Sequence, residues 1–388
     1  KAIGGRWTKE ACYAYMAQGY MWRNDYENAK IELAKVINSG KYELWTKTAT
    51  MGPSSYGVNI ELAKSNNADT WKDGNEEYEY LTLYRAEADF CDEFLLELDI
   101  DGDMTTITST EPYWFRAYMN WRKDEVNLPG NTTTASDGWG FINPTRTFGY
   151  AFAKHDGNSV RRRAAIATYS EVYHDFPYLN KDVRGVMSSM LFENEGYFRM
   201  KYYDYVDDVV PERFASGQTN GNRTNFPLMR YADVLLLYAE AVCMSGEGTA
   251  NISGLEALNK VRRRAGLTDA PALDMDNAEY GIKAERRFEL WLEDCSRYVD
   301  LIRWGDYKDF ITDTSIDGVS EHWGNECAWL VGLKDATKRT TDPTDWSNYE
   351  VRYDPLSTRG TWSDRFYLWP FPYAETTQNP NLVQNTGW

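Results

Sequence analysis

The sequence has 388 residues, of which 42% are hydrophobic, so it can bury one large core or two ordinary ones. Its formal net charge of −17 repels phosphate backbones and argues against nucleic acid as a partner. Aromatic residues make up 15% of the chain, more than a core needs. Tyr and Trp suit half-wet binding surfaces because each joins an apolar body to a polar tip, so the composition favours a ligand-binding protein.

The chain carries no recognisable membrane, targeting or redox segment. No run of eighteen apolar residues occurs, so no bilayer-spanning helix is predicted, and no signal peptide is visible. Its five cysteines include no CxxC pair, which argues against a zinc or redox motif. Because Lys1 leads directly into a structured region, the chain is expected to be a mature or truncated fragment.

Residues 1–40 predict a helical hairpin. Thr8 can cap a helix that runs to Trp22, and a second helix is expected from about Tyr26 to Asn38, with Gly40 in the left-handed position that ends it. The spacing of small and aromatic residues in this hairpin resembles one tetratricopeptide repeat, although a single copy is also typical of any helical hairpin.

Residues 41–222 are predicted to form a loop-rich ligand-binding region. A short strand is expected at 94–99, and Gly, Asn, Thr, Trp and Tyr dominate from about 104 to 150. Long loops inside a large domain are often functional. The region is therefore the first place to look for a ligand site.

Residues 223–305 predict a helical scaffold. A helix is expected to begin at Pro227 and end at Gly246, because apolar residues recur at four-residue spacing between them. A second helix is predicted at 252–265, and one long third helix at 277–304. Residues 306–388 are expected to be a loop-rich C-terminal region with a Pro-rich tail.

The charged motif of Glu285, Arg286, Arg287 and Glu289 predicts structural ion pairs rather than catalysis. Glu and Arg at helical spacing lock one helix against another, whereas a glycosidase needs two carboxylates facing each other across a sugar. The short arginine runs 161–163 and 262–264 are interpreted as salt-bridged helix faces on this acidic chain. No catalytic residue is predicted.

No metal site and no cofactor are predicted. The three histidines are isolated from one another, and no metal-binding, nucleophile-elbow or phosphate-loop motif occurs. The acidic run at 99–103 offers carboxylates at alternate positions, but its Gly lies at the fourth position instead of the sixth of a calcium loop, so a solvated turn is favoured.

The segment 111–122 holds the strongest ligand-binding candidates. A sugar presents a flat C–H face edged with hydroxyls, which an aromatic ring can cover while amide and guanidinium groups hydrogen-bond the rim. The candidates in this segment are Tyr113, Trp114, Arg116, Tyr118, Asn120 and Trp121. Second candidates are Trp139, Trp323 and Trp329. Any one of these rings could equally belong to the core of an irregular domain.

Three stretches of the chain form a specific pattern when they are taken together. They are FPLMRYADVLLLYAEA (226–241) with LNKVRRRAGL (258–267), ERRFEL (285–290) with RYVDLIRWG (297–305), and LWPFP (368–372) with NPNLVQNTGW (379–388). In this order and spacing they resemble the SusD/RagB family of outer-membrane nutrient-binding lipoproteins. The resemblance spans most of the chain, but the family's usual N-terminal part, which carries the lipidated cysteine, has no counterpart.

The resemblance implies a mainly α-helical fold, with tetratricopeptide-like hairpins as a scaffold for a loop-rich subdomain containing a few short strands. It also implies binding of an oligosaccharide or polysaccharide on the extracellular face of the outer membrane, a lipid anchor, and delivery to a SusC-like TonB-dependent transporter. Three alternatives stay open from the residues: a peptide-binding member of the same import system, a glycan-active enzyme, and a pure scaffold protein.

Overall fold

A computed structural model describes residues 6–46, 83–84, 88–99, 142–175, 195–202, 224–293, 296–312, 326–355 and 363–388. Eleven α-helices and six strands lie in these ranges, so the predicted mainly helical architecture is confirmed. The helices are α1 (Lys9–Trp22), α2 (Tyr26–Asn38), α3 (Arg146–Asp156), α4 (Val160–Ala165), α5 (Tyr169–Asp175), α6 (Tyr231–Ser245), α7 (Gly254–Arg264), α8 (Ile282–Glu289), α9 (Ser296–Trp304), α10 (Tyr307–Thr312) and α11 (Tyr373–Gln378).

The strands form three antiparallel pairs. They are β1 (Phe94–Leu98), β2 (Ile166–Thr168), β3 (Tyr197–Arg199), β4 (Phe226–Arg230), β5 (Glu326–Leu333) and β6 (Tyr349–Pro355). β1 pairs with β4, β2 with β3, and β5 with β6. None of the helices in the described ranges has the length and apolar character needed to cross a bilayer.

The opening hairpin forms as the sequence predicts. The Thr8 side chain accepts a hydrogen bond from the Ala11 backbone N–H at 3.0 Å, which satisfies one of the unpaired donors at the start of α1. Asp25 caps α2 in the same way through the Asn28 N–H at 3.2 Å. Gly40 follows α2 with φ of +61°, a conformation that glycine adopts without steric cost.

Helix α6 is the centre of the helical core. Every residue from Tyr231 to Val242 is buried, including Asp233 and Glu240, as expected for a largely apolar helix at the centre of a core. It contacts α2 on one side and α7 on the other. The shared core also takes in Leu95 and Leu96 of β1, so the opening hairpin and the scaffold helices bury their apolar faces together.

The predicted start of this helix at Pro227 is wrong. Residues Phe226–Arg230 form β4, and the helix begins at Tyr231. Pro227 lies opposite Glu97 in the β1–β4 ladder. A two-stranded sheet leaves each strand with one unpaired edge, which is where proline is tolerated. The fixed φ of proline suits a first helical turn and a strand alike, and the tertiary pairing decides between them.

The predicted single helix at 277–304 is also wrong, because the structure divides it into α8 and α9. Leu292 adopts a positive φ of 63°, which interrupts the helical path. The break turns Glu293 inward, where it meets the Arg230 Nε at 2.5 Å. The chain therefore changes direction where this buried carboxylate pairs with Arg230, and local helix propensity does not indicate that change.

A second core lies under the irregular part of the fold and consists largely of aromatic rings. Trp45, Tyr84, Tyr169, Phe198, Tyr202 and Tyr349 are buried there. Tyr84 and Tyr202 meet edge to face with ring centroids 4.8 Å apart, a favoured arrangement of aromatic pairs. Part of the aromatic excess noted in the composition is therefore core packing rather than ligand-binding surface.

We expect Gly196→Ala to destabilise the protein more than Gly305→Ala. Both glycines have positive φ, +97° and +78°, which costs a non-glycine residue about 1–2 kcal/mol. A Cβ on Gly196 would also lie 2.3 Å from the Trp346 ring, whereas a Cβ on Gly305 would meet nothing within 4 Å. Overpacking of this kind adds about 1–3 kcal/mol. Urea unfolding measures the free energy of unfolding of each variant and so separates the steric contribution from the backbone contribution. Equal decreases in the two variants would contradict the steric contribution.

Candidate functional site

Most of the predicted ligand-binding residues lie outside the described residues. These are Tyr113, Trp114, Arg116, Tyr118, Asn120, Trp121, Trp139 and Trp323. Of Trp329 the structure describes the backbone, which lies in β5 opposite Arg352 of β6. The assignment of these side chains to a ligand site stays a prediction, and the described residues define what surrounds them.

The segment 100–141, which holds the leading candidates, is connected to the fold at β1 and α3. β1 ends at Leu98, which pairs with Phe226 at the start of β4. The segment 203–223 leads into β4 just before that residue. Both segments therefore join the fold at the same end of the β1–β4 ladder.

Helix α3, which follows the segment 100–141, is fixed to the rest of the fold by several contacts. Thr145 caps the helix by accepting from the Phe148 N–H at 3.3 Å. A Glu195 carboxylate oxygen accepts from the Arg146 N–H at 2.5 Å. Gly149 lets the Tyr197 ring approach so closely that a Cβ there would lie 2.2 Å from it. The scaffold end of the candidate loop is thus fixed by a cap, a charged hydrogen bond and a close aromatic contact.

Of the second candidates, Trp139 lies in the segment 100–141, Trp329 lies within β5, and Trp323 lies in the segment that precedes the open end of the β5–β6 hairpin. Glu326 pairs with Pro355 at this end. The segment 313–325, with Trp323, precedes it, and the segment 356–362 follows it. The hairpin is anchored at its other end, where Leu333 and Tyr349 enter the aromatic core.

The Glu/Arg motif of α8 belongs to a buried charge network, so the predicted structural role is confirmed. Glu285 accepts from Arg161 of α4 at 2.7 Å and from Arg262 of α7. Glu289 accepts from Arg264 at 2.5 Å and Arg230 at 3.1 Å. Glu285 and Glu289 are fully buried, and each is paired with more than one guanidinium.

Glu289 is unsuited to acid–base catalysis. Burial opposes ionisation of Glu289, but Arg264, Arg230 and Arg161 outweigh it and lower its pKa to about 2. A general acid needs a pKa near the working pH, and a nucleophile needs access to substrate. Glu289 has neither, since it stays ionised and sealed among arginines.

A second cluster of buried ion pairs ties α6, α8 and α9 together. Arg286 bridges Asp233 at 2.6 Å and Asp300 at 2.8 Å. Arg303 pairs with the same Asp300 at 2.8 Å and with Glu240.

The arginine run at 161–163 also forms ion pairs, since Arg162 makes a two-point contact with Glu171 at 2.7 and 2.8 Å. The prediction that these arginines are salt-bridged is confirmed for Arg161, Arg162 and 262–264.

Two cavities in the described parts of the chain differ in size. One, of about 100 Å³, lies between α1, β4, α6, α8 and α9 and is lined by Asp233, Arg286 and Asp300 among others. It falls below the roughly 300–1,000 Å³ of ordinary ligand pockets. The other, of about 320 Å³, is lined by residues 43–46 and 89–93, with four carboxylates. No group of metal-binding side chains is found in the described ranges.

The C-terminal segment 363–388 makes hydrogen bonds within itself and to α9, but none of its residues is buried. Trp369 Nε1 donates to the Tyr298 hydroxyl at 3.0 Å, and Trp388 Nε1 donates to the Leu368 carbonyl at 2.9 Å. Trp369 is 76% exposed and Tyr373 is 82% exposed. The sequence marked this tail only by its resemblance to a family, and its composition gave no sign of this exposure.

One titratable side chain that the sequence left isolated proves to have charged neighbours. His155 lies beside Asp156 and faces Glu285 from α8. The adjacent Asp156 was the only local signal, because Glu285 is distant in the sequence.

Comparison with known proteins places this fold among SusD-like proteins. A SusD-like protein of Bacteroides ovatus is 28% identical over 164 residues, which are 41% of this chain and 28% of the relative. The crystal structure of a SusD-like protein from Bacteroides fragilis superposes with a TM-score of 0.63 at 20% identity, covering 99% of this chain and 66% of the other.

Surface glycan-binding protein A from Bacteroides fluxus gives a TM-score of 0.60 at 22% identity, with 99% of this chain and 63% of the other covered. Surface glycan-binding protein A from Bacteroides thetaiotaomicron in complex with laminarihexaose gives a TM-score of 0.60 at 20% identity, with 99% of this chain and 65% of the other covered. This chain therefore spans less than two thirds of these relatives' length. The SusD family model matches residues 92–388, and with three quarters of its length inside that match the chain belongs to the SusD family.

Proposed function

We propose that the protein binds an oligosaccharide or polysaccharide at the cell surface and delivers it to a SusC-like TonB-dependent transporter. The observation that carries the proposal is the SusD family match over residues 92–388. It is supported by similarity in fold to proteins described as surface glycan-binding and laminarin-binding. The family also supports a position on the extracellular face of the outer membrane, held by a lipid anchor.

The distribution of charge and aromatic residues supports binding through loops on a rigid scaffold. Several charged residues of α4 and α6–α9 are buried in ion pairs that join helix to helix. The network also takes in Asp156 of α3, through Arg161, and Glu93, directly before β1, through Arg230, so it reaches both elements from which the candidate loop leaves the described fold. Precise presentation of ligand-binding side chains depends on such a supporting framework.

We also propose that the protein is not an enzyme. The conspicuous carboxylates of the α8 motif are buried and paired with arginine. Prolonged incubation with a bound glycan, followed by chromatography of the sugars, tests this. The proposal requires that the glycan elute unchanged, and the appearance of shorter products would overturn it.

Isothermal titration tests the binding function directly. The chain would be titrated with laminarin and laminarihexaose, with glycans of plant, host and microbial origin, and with a peptide mixture. We expect saturable heat with at least one glycan and none with peptides. Binding of peptides without any response to glycans would support the peptide-import alternative and contradict the proposal, and no binding to either would support a scaffold.

We expect Trp121→Ala or Trp114→Ala to weaken glycan binding while leaving the thermal midpoint nearly unchanged. Stacked aromatic rings contribute on the order of 1–3 kcal/mol at recognition sites, by analogy with base stacking, which is a roughly 5- to 150-fold change in Kd. Trp22→Ala is the matched control, because Trp22 is exposed on α1 and belongs to the scaffold. An unchanged Kd, or unfolding of the protein, would assign that candidate ring to another role.

A further inference from the structure

His155 lies in the last turn of α3 with its side chain only 4% exposed. Its Nδ1 is 2.6 Å from Asp156 Oδ1. Burial opposes ionisation of Asp156, but Arg161 and His155 outweigh it and hold the pKa of that carboxyl below its usual range. Asp156 is therefore an acceptor, and Nδ1 must carry the hydrogen that joins them.

The other ring nitrogen has no hydrogen-bond donor within reach. His155 Nε2 is buried without a hydrogen-bond partner in the described structure. Glu285 Oε1 lies 3.6 Å from it. In a neutral imidazole with hydrogen on Nδ1, Nε2 is itself an acceptor, so a lone pair would face a carboxylate oxygen. A proton on Nε2 turns this contact from repulsive to attractive, and a shift of a few tenths of an ångström would complete a hydrogen bond.

The charged groups around the ring come from four helices. On α3 and α8 they are Asp156 and Glu285, which contact the imidazole. Arg161 of α4 pairs with both of these carboxylates, at 2.8 and 2.7 Å, and with Glu289 at 3.5 Å. Arg262 of α7 pairs with Glu285. The two groups in direct contact with the imidazole are both negative, and the guanidiniums lie one step further away.

Two other features favour a positive charge here. The end of a helix carries a partial negative charge from its unpaired carbonyls, and His155 lies at that end of α3. The ring of Phe288 lies 4.8 Å from the imidazole, centroid to centroid, within the roughly 6 Å at which an aromatic ring attracts a cation.

We propose that His155 is a proton-dependent clasp between α3 and α8. The protonated ring would donate from Nδ1 to Asp156 and from Nε2 to Glu285, so that α3 is held more tightly as the pH falls through the range in which histidine titrates. Because α3 is the element that follows the segment 100–141, the clasp acts on the scaffold end of the candidate ligand loop.

The sign of the pH dependence follows from linkage. A histidine whose protonated form gains partners on folding contributes stability that is present at low pH and is lost as the pH rises. This is opposite in direction to the effect of the buried carboxylates, so the two contributions can be separated by pH.

The test compares wild type, His155→Gln and His174→Gln in thermal melts between about pH 5.5 and 8. Glutamine keeps a neutral polar group but cannot take up the proton. His174 lies near the surface with Nε2 3.2 Å from the Lys338 carbonyl, and serves as the control. We expect the midpoint difference between wild type and His155→Gln to shrink by about 2 °C as the pH rises, while His174→Gln follows wild type. A difference that does not change with pH would overturn the proposal.

If His155→Gln does not fold, NMR of wild type labelled with ¹³C at the histidine Cε1 positions gives the answer, with His174→Gln used for assignment. The expected result is that the buried ring is protonated at a pH where His174 is already neutral. A His155 signal that stays neutral at and below the pH at which His174 protonates would refute the clasp.

Discussion

Arg230→Met is expected to lower the free energy of unfolding by about 3–5 kcal/mol, because removing one member of a buried ion pair leaves its partners charged and desolvated. Arg230 is 1% exposed and pairs with three carboxylates, those of Glu93, Glu289 and Glu293. Methionine keeps much of the apolar length of the side chain, so the loss reports chiefly on charge. Urea unfolding followed by circular dichroism measures it.

Arg263→Met is the matched control. Arg263 lies on α7 and pairs with Glu256 at 2.5 Å and Asp269 at 2.8 Å, but its side chain is 47% exposed. Exposed ion pairs contribute about 0–1 kcal/mol, so this variant should unfold close to wild type. Equal losses from the two substitutions would mean that burial does not set the strength of these pairs. If Arg230→Met fails to fold, Glu293→Gln removes one charge from the same cluster and should still lose more than Arg263→Met.

The helices whose ends carry their own signals were predicted closely. Thr8, Asp25 and Gly40 fix the ends of α1 and α2 through contacts made within a few residues. The break between α8 and α9 was missed because its causes are not local. Glu293 turns inward to reach Arg230, a residue of another element, and no pattern within 277–304 indicates that partner.

The charged residues show the same contrast between what a local pattern predicts and what partners distant in the sequence decide. The acidic character of the chain predicts that the short arginine runs 161–163 and 262–264 form salt-bridged helix faces. Which carboxylate each one meets depends on how the helices pack. Arg161 and Arg262 converge on Glu285 from different helices, and that convergence is also what gives His155 its negative neighbour.

For the candidate site, the sequence identified residue types suited to sugars but not their arrangement. A Trp or Tyr gives the same local pattern whether its ring packs inside or faces a ligand. Tyr197 and Tyr349 are core residues, whereas Trp369 is largely exposed, and nothing in the adjacent sequence separates the two cases. Measurements of glycan binding and of thermal stability therefore decide which rings in 111–122 contact a ligand and which are core residues.

The protein is expected to lose stability steeply between about pH 4.5 and pH 2, because its buried carboxylates are ionised only through their arginine partners. Burial opposes ionisation of Glu171, but Arg162 and the Thr168 N–H outweigh it and lower its pKa to about 2, from an ordinary value of 4.5. Burial is likewise outweighed at Glu289, whose pKa is lowered to about 2 by Arg264, Arg230 and Arg161. A carboxyl whose pKa is depressed in the folded state stabilises that state fully above its ordinary pKa, and the contribution disappears as the pH falls through the folded-state pKa. Each such group contributes on the order of 3 kcal/mol.

Circular dichroism of wild type at steps from about pH 7 to pH 2 measures this loss, with Glu171→Gln as the comparison. The variant lacks the carboxyl that Arg162 holds at 2.7 Å, so it should be less stable than wild type at neutral pH and should lose less on acidification. The two unfolding free energies should therefore converge as the pH approaches 2. A constant difference across the range would show that Glu171 titrates alike in the folded and unfolded chains, and that Arg162 does not stabilise its charge.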